Sequence, residues 1–294
     1  MTTYPARPIA SVIIPAHNEA AVLGRCLDVL LADAQPGEFE VLVAANGCTD
    51  ATVEVARQRV ADGVRVVETD TASKIAGLNL GDRAASVLPR VYLDADVTIA
   101  TETLRALART LDDGSSVLGA APRLRVDTTG ASRAARTYLR VWQSLPVFET
   151  AYLGSGCYAV SRRGRERFDH FPDVIADDRF INALFARDEK VTLTEHGLGV
   201  RGPRTLRAIV RRSVRVRSGT VELNQAMVDA GYTVVDPGSE EGTRAYLMEM
   251  FRRPRTFHAA LLFAATQVWI RLLAQLWSRA GNNRVWIRDE TSRT

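Results

Sequence analysis

The chain has 294 residues, 46% of them hydrophobic and 24% charged. That length suits one large domain or a domain with an appendage, and the composition excludes a disordered or collagen-like chain. Lys+Arg outnumber Asp+Glu by 38 to 34, a net charge of +4, too small a surplus to nominate nucleic acid as a partner. Only Lys74 and Lys190 among those cations are lysines. The arginine bias reflects genome composition, and a lysine that persists against it calls for a reason. Cys26, Cys48 and Cys157 are far apart and lack CxxC spacing, which argues against a disulfide framework or a zinc site and suits the cytoplasm. The first residues lack the apolar run of a secretory signal.

The first 125 residues alternate strand and helix. Residues 9–14 (IASVII) form a β-branched run, and residues 19–31 carry Val22, Leu23, Leu27, Leu30 and Leu31 at helical spacing. Residues 39–44 predict a strand and 49–60 a helix capped by Thr49 or Asp50. Residues 64–67 predict a strand, 72–88 a helix, 90–93 a strand and 101–111 a helix. Apolar strands alternating with helices predict a parallel sheet covered on both faces. Such sheets bind ligands beyond the carboxyl ends of their strands. There the chain delivers Pro15-Ala16-His17-Asn18-Glu19, then Asn46-Gly47-Cys48-Thr49-Asp50, then Asp94-Ala95-Asp96.

Past residue 132 the pattern loosens: a helix at 134–145, a strand at 154–161 after a glycine turn, and helices at 177–187 and 205–216. Between Arg201 and Arg217 there are seven arginines and no acid, with Arg204, Arg207, Arg211 and Arg215 spaced for one helical face. Beyond Gly219 come helices at 221–230, 243–251 and 257–280, the last ended by Gly281. A membrane span wants about 20 largely uninterrupted apolar residues. Gln267, Arg271 and Gln275 interrupt residues 257–277 and make them a poor candidate. The helix still has a broad apolar face that includes Trp269 and Trp277, preceded by Arg252, Arg253 and Arg255. Core packing or a homodimer interface is the ordinary account of that face. The alternative is a peripheral membrane contact through 252–280.

Two carboxylates at i and i+2 just past a strand can face one divalent cation, which in turn can hold phosphates. Asp177-Asp178 at a helix start reads either as acids suited to the helix dipole or as a general base.

The motifs Ile14-Pro15-Ala16-His17-Asn18-Glu19, Asn46-Gly47-Cys48-Thr49-Asp50, Lys74-Ile75-Ala76-Gly77-Leu78-Asn79 and Tyr92-Leu93-Asp94-Ala95-Asp96, in that order and spacing, resemble the signatures of family 2 glycosyltransferases. The likeness covers about residues 9–220 and resembles the bacterial, non-processive members. It implies an α/β GT-A fold, with a catalytic domain over 1–220 and a helical extension over 221–294. By the same resemblance Pro15, Ala16, His17, Glu19 and Asn46 line a nucleoside pocket, and Lys74 sits near the nucleotide. Asp94, Ala95 and Asp96 meet ribose and a Mn²⁺ or Mg²⁺ ion, with Asp96 as the direct ligand and Asp94 beside it. Ala45 stands where the family usually carries an acid, which leaves the nucleotide open, with a UDP-sugar favoured. Asp178 is the implied catalytic base, and Gly154, Ser155, Gly156 and Asp177 border the acceptor. Arg212 and Val216 replace the Gln and Trp of the processive segment, so Arg212 and Arg215 are read as diphosphate contacts in an enzyme adding one sugar per encounter. By the same resemblance His196 is a candidate extra metal ligand, and the tail Trp286 to Glu290 resembles tails of some bacterial members. The acceptor is a glycan, a lipid-linked molecule or a small molecule. The location is cytoplasmic, with membrane association on the cytoplasmic face as a second expectation. Two rival classes stay open: a nucleotidyltransferase, disfavoured because the first loop lacks a glycine-rich, lysine-bearing sequence, and a non-catalytic nucleotide-sugar-binding partner subunit.

Overall fold

The computed structural model describes residues 7–150, 152–173, 177–229, 231–232 and 240–279. Its sheet opens with β1 (Ser11–Ala16), β2 (Glu40–Asn46), β3 (Val64–Thr69) and β4 (Arg90–Leu93), with α1 (Ala20–Leu31), α2 (Thr52–Arg57) and α3 (Lys74–Ala84) between them. β1 pairs in parallel with both β2 and β4, and β2 with β3. The parallel α/β half is as the sequence predicts, with β1 and β2 each ending two residues later and α2 shorter. Asp50 accounts for part of that shortening: its carboxylate accepts from Thr52 N and Oγ1, so the chain turns there before the helix begins.

The second half adds β5 (Thr98–Ile99), α4 (Thr101–Thr110), β6 (Gly119–Asp127), α5 (Arg133–Gln143), α6 (Val147–Thr150), β7 (Cys157–Val160), α7 (Arg162–Arg165), α8 (Asp177–Leu184) and β8 (Lys190–Arg201). The eight strands lie in the order β3-β2-β1-β4-β7-β6-β8-β5. β7 runs antiparallel to β4 and β6, whereas β6 and β8 are parallel. β6 and β8 are absent from the sequence-based expectation. Each mixes charged with apolar residues, which breaks the apolar run by which β1, β2 and β4 are recognised. Their shared register slips between Pro122 and Arg123, so Thr194-Glu195-His196 bulge out of β8.

Alternation along the strands divides the core. Val12 and Ile14 pack with Leu23, Leu27 and Leu104 beneath α1 and α4, whereas Ile13 and Leu42 pack with Leu78, Phe171 and Phe180 on the opposite face. A further apolar cluster joins α5 to α9 (Leu206–Asp229), α10 (Glu240–Arg252) and α11 (Pro254–Arg279) through Tyr138, Leu139, Phe148, Ile209, Met250 and Phe263. α9 starts after Arg204 and continues past Gly219, so the helix crosses the division anticipated at residue 220. Arg204 therefore does not share the helical face of Arg207, Arg211 and Arg215. Gly281 and the 286–290 segment lie outside the described residues.

Candidate active site

The carboxyl ends of β1, β2 and β4 share one edge of the sheet, because the three strands run in parallel. Past β1, Asn18 adopts a positive φ of 53°, which turns the chain into α1. Its side-chain oxygen accepts from Thr49 N at 2.7 Å, and Thr52 Oγ1 accepts from Glu19 N at 2.7 Å. These bonds tie the loop after β1 to the loop after β2. His17 Nδ1 donates to the Asn46 carbonyl at 2.6 Å, and Cys48 Sγ donates to the Ala16 carbonyl at 3.2 Å. Pro15, Ala16, His17, Glu19 and Asn46 thus converge in one rim. Asn46 is buried, and its side-chain oxygen has no hydrogen-bond partner among the described residues. α3 comes so close that a Cβ on Gly77 would lie 2.8 Å from that oxygen, so only glycine fits there. Ala45 is buried in β2.

α3 begins at Lys74, capped by Ser73, whose hydroxyl accepts from Ala76 N. Lys74 Nζ lies 2.6 Å from Asp94 Oδ1 and 2.9 Å from Asp177 Oδ1. One ammonium therefore joins the strand end of β4 to the start of α8. Burial works against that charge, but the two carboxylates outweigh it and hold the lysine far above its ordinary value. Tyr158, on β7, donates to Asp177 Oδ2 at 2.9 Å.

Asp178 stands next to this bridge. Its carboxyl is pushed up from the ordinary aspartate value first by burial and then by the charge of Asp177, with Lys74 and Arg179 pulling it down. A Cβ on Gly154 would sit 3.1 Å from Asp178 Oδ2 and 3.2 Å from Tyr152 Cε1. Gly154, Ser155 and Gly156 all have positive φ, at 148°, 64° and 92°, a strained turn of the kind that collects at functional sites. The Tyr152 phenol is pushed up to about 12 by burial, then by Asp178, with Arg179, Ser155 and Arg212 opposing. Arg212 is thereby near enough to sense this pocket, although its side chain is exposed. Arg215 is half-buried on the same helix.

Asp94 and Asp96 flank buried Ala95 on the turn after β4, where Asp94 N donates to the Gly156 carbonyl at 2.8 Å. Their negative potential reaches beneath the sheet edge. The thiol of Cys26 is pushed up to about 12 by burial, then by Asp96 and Asp94. The donor set suits Mn²⁺ or Mg²⁺: two carboxylates are hard oxygen ligands. A Cβ on Gly156 would come within 3.4 Å of Asp94 Oδ2, so the glycine keeps that oxygen open. Among the described residues no group of three His, Cys, Asp or Glu side chains gathers as a metal cage, and His196 lies in the β8 bulge opposite Arg123.

Sequence reasoning missed several supports of this site. Tyr158 orients Asp177, and Lys190 donates to the backbone and side-chain oxygens of Asn182 at 2.8 and 3.3 Å. That same side-chain oxygen accepts from Leu153 N, so Lys190 and Asn182 pin the start of the glycine turn. Asp82 takes bonds from Tyr92, Arg90 and Arg165 beneath α3. The rarity of lysine was the one available signal for Lys190.

The family model for glycosyl transferase family 2 matches residues 11–169. Glycosyltransferase AglE of Haloferax volcanii is 36% identical over 93 residues, which cover 30% of this chain and 31% of that protein. Validoxylamine A glucosyltransferase of Streptomyces hygroscopicus subsp. limoneus is 37% identical over 95 residues, 31% of this chain and 21% of that one. The chain thus spans less than a third of the length of these curated relatives. In fold it is similar to the mannosyltransferase PcManGT from Pyrobaculum calidifontis, solved in complex with GDP-Man and Mn²⁺, at a TM-score of 0.61 and 23% identity over 95% of this chain and 80% of that one.

Proposed function

The chain belongs to glycosyl transferase family 2, and from that premise we propose that it is a metal-assisted, inverting glycosyltransferase. It moves one sugar per encounter from a nucleotide-diphosphate sugar, read as UDP-linked, to an acceptor hydroxyl. The observation that carries this reading is the bridge from Lys74 to Asp94 and Asp177, at 2.6 and 2.9 Å, which sets one donor-side acid and one acceptor-side acid on one cation. The rim of Pro15, Ala16, His17, Glu19 and Asn46 receives the nucleoside, with Lys74 and Ala95 near the nucleotide and Arg212 and Arg215 toward the diphosphate. Asp96 and Asp94 would hold Mn²⁺ or Mg²⁺, which when bound neutralises charge on the leaving diphosphate.

Inversion requires a base that takes the acceptor proton as the hydroxyl oxygen attacks the anomeric carbon and the bond to the diphosphate breaks. Asp178 takes that role. Its raised pKa strengthens it as a proton acceptor, and the turn at Gly154 to Gly156 leaves the space in which an acceptor can approach it. Asp177 is already engaged by Lys74 and Tyr158, so it positions rather than abstracts. Asp178→Asn is expected to keep UDP binding and lose at least about 10³-fold in transfer, within the range for removing a general base. Transfer near the wild-type rate in that variant would sink the assignment. UDP release measured with and without EDTA tests the metal.

The membrane and dimer expectations attach to α11. By length and composition Pro254–Leu276 is apolar enough to cross a membrane, with a mean hydropathy of 1.5 and 28% of that window buried, despite the interruptions that argued against it in the sequence. We propose a peripheral contact, because Phe257, Leu261, Val268, Trp269, Leu272 and Leu276 are 41–62% exposed along one side while Phe263, Ile270 and Ala274 pack inward. The free cysteines suit a cytoplasmic location.

A further inference from the structure

α8 turns one face toward the segment that enters the glycine turn. Asp178 and Asn182 stand four residues apart on that helix, so both side chains leave it on the same side. They meet successive residues of the segment. A Cβ on Gly154 would lie 3.1 Å from Asp178 Oδ2, and Asn182 Oδ1 accepts from Leu153 N at 3.1 Å. Leu153 is fully buried and Asn182 is 8% exposed. The bond is therefore shielded from water, where an unpaired N–H would be costly.

The Asn182 amide is itself held. Lys190, 5% exposed at the start of β8, donates to the Asn182 backbone carbonyl at 2.8 Å and to Oδ1 at 3.3 Å. That carbonyl is among the last four of α8, which lack partners within the helix, and a cation suits the negative end of the helix dipole. Two residues on, and on the same side of β8, buried Thr192 Oγ1 accepts from Tyr152 N at 3.2 Å. Core packing alone does not call for an ammonium here. It is bonded to two neutral oxygens, while the neighbouring Glu189 carboxylate is taken by Arg167, and a buried charge so placed is unfavourable. An apolar residue would fill the space at less cost. What the lysine adds is rigidity, because a buried polar network with its members satisfied fixes its own geometry.

The far end of the turn is fastened separately. Gly156 accepts from Asp94 N at 2.8 Å, and Cys157 pairs with Leu93. Loosening the clamp on Tyr152 and Leu153 would therefore shift Asp178 relative to Gly154 and leave the strand end that carries Asp94 in place. We propose that Asn182, held by Lys190 and aided by Thr192, is a positioning residue of the transfer reaction. It fixes the gap between Asp178 and the glycine turn, in which the acceptor hydroxyl must lie to give up its proton. The proposal rests on the reading of Asp178 as the base, whereas the clamp can be measured without any reaction.

Two measurements on the full chain test it. Amide hydrogen exchange over residues 152–156, without donor, reads the clamp alone. Release of nucleoside diphosphate from UDP-glucose, UDP-GlcNAc and GDP-mannose in Mn²⁺, with water in place of the acceptor hydroxyl, gives kcat and the donor KM. Asn182→Leu is expected to speed exchange at Leu153 about ten-fold or more. Its kcat should fall about ten-fold or more, with the donor KM within about two-fold of the wild type. Asn182→Asp keeps an oxygen for Leu153 N and can pair with Lys190, so it should hold kcat within about three-fold. If Asn182→Leu does not fold, Thr192→Val makes the same comparison at Tyr152, with Thr192→Ser as its rescue. Ser11→Ala removes a buried hydroxyl bonded to Val87 N at the opposite edge of the sheet. That variant should lower the melting temperature without changing kcat, which separates lost positioning from lost stability. Faster exchange with kcat unchanged, or equal losses in Asn182→Leu and Asn182→Asp, would overturn the proposal. A wild type that releases diphosphate from none of the three donors would sink the glycosyltransferase reading and the catalytic use of the clamp with it, while the exchange result would stand.

Discussion

At the scale of single residues, the site depends on where two lysines put their charge. Lys74 serves two carboxylates and lowers the pKa of Asp178. Lys74→Met leaves Asp94 and Asp177 facing each other without the cation, and is expected to cost about 3 kcal/mol in denaturant unfolding. It also raises the pKa of Asp178. The acid limb of the pH–rate profile, where Asp178 ionises, should therefore move to higher pH by about one unit or more; an unmoved limb would exclude Asp178 as the group that titrates. Lys190 acts in the other direction. Burial draws it down to about 8, whereas an unfolded lysine titrates near ~10.4. Between those values the unfolded chain binds more protons, so this group makes stability rise with pH from about 8 to about 10.4, by up to about 3 kcal/mol. Unfolding of the wild type and Lys190→Met at pH 7.5 and pH 10 should show the wild type gaining about 1–3 kcal/mol on the variant. A pH-independent difference would refute this. Lys74 was legible as a site residue because it stands in a motif, but its second partner was not, since Asp177 lies about a hundred residues away in the chain.

At the scale of elements, the turn at Gly154, Ser155 and Gly156 does the positioning that the strands leave undone. Its three positive φ angles fold the chain over β4 so that Gly156 accepts from Asp94 N. Gly156→Ala would place a Cβ 2.6 Å from Val97 Cγ2 in a backbone conformation that suits glycine. We expect a loss of about 2–4 kcal/mol in thermal or chemical unfolding and weaker UDP binding in Mn²⁺, because the turn that carries Asp94 and Asp96 must shift. Wild-type affinity in a folded variant would detach this turn from the metal site. Periodicity made β1 to β4 and α1 to α3 legible, because the central strands β1, β2 and β4 are buried and largely apolar and β3 carries a short valine-rich run. β6 and β8 carry arginines, threonines and a bulge, so alternation is interrupted where they matter most. That interruption hid the far side of the sheet.

At the scale of the whole molecule, a net charge of +4 averages over separated clusters: carboxylates at Asp94, Asp96, Asp177 and Asp178, and arginines on α5 and α9. α11 adds an apolar face that the fold leaves open. Leu261→Asp with Leu272→Asp is expected to abolish flotation with anionic vesicles without lowering UDP affinity, since neither residue packs in the core. If the same pair instead converts a dimer to a monomer in sedimentation while the wild type ignores vesicles, the face belongs to a second copy.

The sequence by itself determined the parallel half of the sheet and the acids that follow its strands, because hydrophobic periodicity and turn chemistry act over a few residues. Only the tertiary structure decided that Lys74 joins Asp94 to Asp177, and that Asp177 rather than Asp178 is held by Lys74 and Tyr158. Those facts depend on contacts between β4, α3, β7 and α8, and no local pattern encodes how far apart in the chain two touching residues will be.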